Sequence, residues 1–174
     1  MVNFEELSAI FPKYTDQGDV TELYFKNGQT TELPRKIKSQ LHKIAARFAC
    51  DLTALRNQAK QRTGQTNQQP LLFSNTLLLV PVKVRNCRVP GDLTLAYVNR
   101  YAVEKIQSID QSPYCTEIFL TGNHRILSLW TTKTVLQNIR QANLATLAAS
   151  DDGQMAILAQ KIVELLKYFR PFHA

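Results

Sequence analysis

The segment TELYFKNG at positions 21–28 returns 95 residues later as TEIFLTGN at 116–123. Thr21, Glu22, Leu23, Tyr24 and Phe25 fall on Thr116, Glu117, Ile118, Phe119 and Leu120 without a gap, and farther on Leu41 falls on Leu136 and Ile44 on Ile139. An internal repeat restricts the fold more than composition does, because the same supersecondary unit must be built twice. Its first part alternates apolar and polar residues, as a half-buried strand does. Asn27-Gly28 then gives a tight hairpin, since both residues tolerate positive φ. The repeated unit is strand, hairpin, strand, helix. The expected fold is α+β and β-rich, with two such units forming one compact body and an amphipathic helix at the C-terminus. The expected division is 1–55 (first unit), 56–92 (basic loop and buried hairpin), 93–149 (second unit) and 150–174 (last helix).

Asn3 and Glu6 form a capping-box pattern that predicts a short helix from Phe4 to about Phe11. A strand, a turn near Asp16–Asp19, the strand Val20–Lys26 and a return strand Thr30–Leu33 follow. After Pro34, the apolar residues Ile37, Leu41, Ile44, Phe48, Leu52 and Leu55 recur every three or four positions, predicting one helix with a basic outer side. Residues 56–69, RNQAKQRTGQTNQQ, lack apolar periodicity and predict a mobile loop. Residues 70–73 and Thr76–Val84 read as a buried hairpin. In the second half Leu93–Tyr97, Ala102–Ile109, Cys115–Leu120 and Arg125–Leu129 are strand-like. Lys133–Ala148 is helical with Leu136, Ile139 and Ala142 inward, and Gln154–Phe169 predicts a last helix.

The formal charge is +7, and its distribution is uneven. Residues 1–34 carry a net −4, whereas residues 35–62 carry eight cations (Arg35, Lys36, Lys38, Lys43, Arg47, Arg56, Lys60, Arg62) against Asp51 alone. Residues 83–105 add a net +3 through Lys83, Arg85, Arg88, Arg100 and Lys105 against Asp92 and Glu104. Clustered cations with few acids fit a polyanion partner; the alternative is a solvated basic helix face. No apolar run reaches membrane-spanning length, and the acidic start MVNFEELSAIF is unlike a signal peptide, so a cytoplasmic location is expected. Cys50, Cys87 and Cys115 are far apart and outside any C-x-x-C pair, which reads as reduced thiols.

Enzymatic constellations are missing from the sequence. The glycines form no phosphate loop, and His42, His124 and His173 lack metal-ligand spacing. There is no G-x-S-x-G elbow and no close acid pair. Neither catalysis nor a metal or other cofactor is expected.

The order of elements over residues 47–144 resembles the competence transcription factors of Gram-positive bacteria, the ComK type. The resemblance runs through the basic segment Arg56, Lys60, Arg62, then Pro70-Leu71, the strand closing at Val80-Pro81, Cys87, and YVNRYAV at Tyr97–Val103. It continues through Thr116–Leu120, the Gly122-Asn123 turn and a helix with Gln137, Arg140 and Leu144. The family's Gly-Ser-Ser segment and Trp-Ile pair are absent. Residues Val98–Ile106 also resemble the LytTR type of DNA-binding domain, where Asn99 matches a DNA-contacting position. The first resemblance implies the minor groove of A/T-rich promoter DNA, the second the major groove. Both imply a DNA-binding transcription regulator in the cytoplasm.

On this reading Arg56, Lys60 and Arg62 contact phosphates or a narrow groove from the loop. Lys83, Arg85 and Arg88 contact DNA from the strand edge, or shield that edge as solvated charges. Asn99 reads a base edge or caps a turn, and Arg100 takes a phosphate or guanine. Arg35, Lys36 and Lys133 sit near helix starts that favour phosphate. Trp130 is expected in the core. The partner is double-stranded DNA, bound by a homodimer or higher oligomer, with no membrane and no small-molecule substrate. The alternatives are a nonspecific RNA or single-strand binder and a non-enzymatic adaptor or assembly protein.

Overall fold

The computed structural model describes residues 2–16, 18–64 and 66–147. The first repeat unit contains β1 (Leu7–Thr15), β2 (Gly18–Phe25), β3 (Thr30–Leu33) and α1 (Ile37–Arg47). The middle of the chain adds α2 (Leu52–Thr63), β4 (Leu71–Ser74), β5 (Leu77–Lys83) and β6 (Leu95–Asn99). The second unit contains β7 (Val103–Gln111), β8 (Tyr114–Leu120), β9 (His124–Ser128) and α3 (Thr132–Leu147). The chain is thus α+β and strand-rich, with each unit running as a three-strand meander into a helix. The predicted helix 154–169 lies outside the described residues.

Two antiparallel sheets form, one with order β3-β2-β1-β6-β5-β4 and one with order β7-β8-β9. The larger sheet is covered on both faces. Leu77 and Leu79 of β5 face one cluster with Ile37, Leu41, Ile44 and Leu52 of the first two helices. Leu78, Val80 and Val82 face the other, with Ile118, Leu120, Ile126, Val135 and Ile139 of the second unit. That explains why β5 reads as an unbroken apolar run: every residue from Leu77 to Val82 is buried. Pro81 fits this strand because β4 pairs only as far as Leu79, so no neighbour on that side needs its missing N–H. Pro12 likewise lies beyond Ile10, where pairing of β1 with β6 ends.

The repeat holds at the level of single hydrogen bonds. The buried hydroxyl of Thr21 donates to the Arg35 carbonyl at 2.6 Å, and that of Thr116 donates to the Trp130 carbonyl at 2.8 Å. In each copy this bond ties the central strand to the segment that enters the helix. The two hairpin turns pack against each other. Gly122, at φ +92°, has no room for a side chain: a Cβ there would collide with the Phe25 carbonyl and lie 2.9 Å from the Gly28 nitrogen. Across the same seam, His124 Nε2 lies 2.9 Å from the Phe25 carbonyl oxygen, and its ring stacks on Tyr24 at 4.8 Å.

Four expectations are corrected. The capped segment at Phe4 makes only one 3₁₀ turn to Glu6, and Leu7 onward is strand, because its residues pair with β2 along their whole length. The predicted helix through Leu55 breaks at Ala49, whose φ is +52°, and restarts where the Asp51 side chain accepts from Ala54 N at 2.7 Å. Most of the predicted loop 56–69 is therefore the second half of α2, closed by Gly64 in the left-handed conformation. Leu136 is 37% exposed, and Val135 takes the inward position on α3.

Candidate nucleic-acid interface

Helices α1 and α2 form the outer layer over one face of the large sheet. Their apolar sides supply Ile37, Leu41, Ile44, Ala45 and Leu52 to the core. Neither helix contains an Asp or Glu, and Asp51 between them is used as the cap of α2. Lys36, Lys38, Lys43, Arg47, Lys60 and Arg62 are exposed, as is Arg35 just before α1. None of these seven takes part in an ion pair among the described residues; those formed involve Lys13, Arg85 and Arg125. Arg56 is partly buried, against the hydroxyl of Tyr97. Burial raises the pKa of that hydroxyl, and the Arg56 charge offsets part of the rise. Arg62 reaches across to the Ala145 carbonyl of α3 at 3.5 Å. All eight cations of residues 35–62 thus belong to one layer.

Arg88 borders that layer through the connection between β5 and β6. Asp92 folds this connection by accepting from Arg88 N at 2.9 Å, Val89 N at 3.1 Å and the Tyr14 hydroxyl at 2.6 Å. The Tyr14 hydroxyl first, then the amides of Val89 and Arg88, hold the Asp92 carboxyl below the usual carboxylate range. The Arg88 guanidinium lies 4.1 Å from the Tyr14 ring centroid. Asp92 also lines a cleft with Lys38 and Arg56, which joins the connection to the helical layer.

Two candidate contacts turn out to be internal. Asn99 is fully buried. Its Nδ2 donates to the Leu7 and Thr76 carbonyls at 2.8 and 3.0 Å, and its Oδ1 accepts from Tyr101 N and Leu78 N at 3.2 and 3.4 Å. An amide tied to four backbone groups leaves nothing for a base edge, so Asn99 is the turn-capping alternative. Arg85 pairs with Asp19 at 2.6 Å, both side chains about nine-tenths buried, donates from Nε to the Leu93 carbonyl at 2.8 Å and covers the Tyr14 ring. It locks the end of the sheet.

Lys83, Arg100 and Lys133 do not join the helical layer. The Lys83 carbonyl accepts from Leu129 N and Ser128 Oγ of the second unit. Arg100 Nε donates to Asn143 Oδ1 of α3 at 3.2 Å, and Lys133 is exposed in the first turn of that helix, on the opposite face of the sheet. Conversely, Lys38, Lys43 and Arg47 belong to the basic layer although sequence reasoning did not select them as contacts. The absence of any acid along α1 is the signal that finds them.

The repeat-related carboxylates Glu22 and Glu117 line one cleft between the two units, together with Tyr24, His124 and Arg125. Each is already engaged, Glu22 by Lys13 at 3.4 Å and Tyr24, and Glu117 by Arg125 at 3.1 Å and Gln107. Among the described residues no group of three or more His, Cys, Asp or Glu has a metal-binding arrangement, and no helix is long and apolar enough to cross a membrane. Comparison of the chain with protein-family models, curated proteins and solved structures finds no match.

Proposed function

We propose that the chain is a non-enzymatic, cytoplasmic transcription regulator of the competence-factor type that binds A/T-rich duplex DNA as a homodimer. The observation that carries the reading is the α1–α2 layer, where eight cations face one acid that is already used as a helix cap. At ~1.5 Å per residue, the 11 residues of α1 span about 16 Å. A duplex carries about one charge per 1.7 Å, so that length of axis presents on the order of ten phosphates, close to the number of cations in the layer. The absence of Phe, Tyr and Trp from both helices argues against a single-strand binder, which needs stacking platforms beside its cations. With α2 helical, Arg56, Lys60 and Arg62 act from a rigid surface as phosphate contacts.

Selection from a random duplex pool at physiological salt tests this reading. Enrichment of A/T-rich duplexes with steep salt dependence supports it. Equal binding of all single strands and duplexes favours the RNA or single-strand alternative, and no binding favours the adaptor.

A further inference from the structure

The groove between α1 and the start of β6 holds a cleft of about 300 Å³, at the small end of the range for ligand pockets. Ile37, Leu41, Leu93, Leu95 and Tyr97 supply its apolar part, and Lys38, Arg56 and Asp92 its charges. Neither Lys38 nor Arg56 has a carboxylate partner among the described residues. The Asp92 carboxyl is turned to other work, accepting from Tyr14, Arg88 and Val89, and its lowered pKa keeps it ionised. Two cations and one anion leave the cleft with one surplus positive charge. An anion of single charge cancels that surplus, whereas a dianion such as a phosphomonoester over-fills it and meets Asp92.

We infer that this cleft binds a small monocarboxylate with an apolar body, its carboxylate held by Arg56 and Lys38 and its hydrocarbon part lying on the leucine, isoleucine and tyrosine walls. A guanidinium offers a carboxylate two parallel N–H donors, which fits Arg56 for the principal contact. The Tyr97 hydroxyl beside Arg56 supplies a further donor. The site's ligand and a nucleic-acid backbone would claim the same two cations, so a bound carboxylate lowers duplex affinity. That regulatory consequence rests on the duplex reading above; the binding itself does not.

The test is calorimetric titration of the full chain with octanoate, with octanol as the neutral counterpart and octyl phosphate as the dianion. Expected are one saturable octanoate site per chain, and binding at least about tenfold weaker for both octanol and octyl phosphate. Arg56→Ala should weaken octanoate by about tenfold or more, Arg56→Lys by less, and Tyr97→Phe by only a few-fold. Circular dichroism melts establish that each variant is folded. Equal binding of octanoate and octanol, undiminished binding by folded Arg56→Ala, or no binding of octanoate at millimolar concentration overturns the inference. Octanoate binding without any duplex binding would leave the site standing and remove the regulatory role. Duplex binding without octanoate binding would do the reverse.

Discussion

At the scale of single residues, the buried polar groups belong to the architecture rather than to recognition. Asn99 holds four backbone groups from the 7, 76, 78 and 101 positions, so its loss orphans donors and acceptors in the interior. Asn99→Leu should cost about 3 kcal/mol in urea unfolding while the folded fraction binds duplex as before. Thr21 and Thr116 make the same bond in the two copies. Thr21→Val and Thr116→Val should each cost about 1–2 kcal/mol, and a large loss in one with none in the other would show that the copies are not energetically equivalent. Asp92 supplies a pH signature. Its folded pKa lies below the unfolded value of about 3.9, so its contribution is present above that pH and is lost as pH falls through the folded value. Asp92→Asn should flatten that part of the acid-unfolding curve.

Among the elements, the seam between the two hairpin turns joins the repeat units. Gly122→Ala introduces a Cβ against the Phe25 carbonyl at a positive φ, where neither backbone can yield cheaply. It should destabilise by more than about 2 kcal/mol, against about 1 kcal/mol for Gly64→Ala, whose Cβ would meet open space. Thermal melts of the two variants compare them directly. The hairpins were legible in sequence because tight turns and period-two strands are local signals. So was the repeat, which predicted a pair of equivalent units before any contact was known. The break at Ala49 was not legible, because the apolar stripe continues through Phe48 to Leu52 while the chain reverses direction on one residue of positive φ. Nor was α2, whose second half, RNQAKQRT, is helical because Ala59 and Leu52 anchor one side and Gly64 closes the end. The site was legible as charge and mislocated as contacts. Sequence places Lys83, Arg85 and Asn99 near the cations, and only three-dimensional packing separates the buried from the exposed.

For the whole molecule, the layered arrangement divides the cations between two faces of the central sheet. The account claims that the α1–α2 face grips duplex backbone, whereas Lys83, Arg100 and Lys133 lie elsewhere. Each phosphate contact contributes about −0.9 to the slope of log K against log salt. The most direct measurement compares that slope for the natural chain, for a variant with Lys36, Lys38, Lys43 and Arg47 replaced by Gln, and for a variant with Lys83, Arg100 and Lys133 so replaced. The account predicts that the first variant loses about three units of slope and the second less than about one. An unchanged slope in the helical-layer variant, or an equal or greater loss from the opposite face, would contradict it.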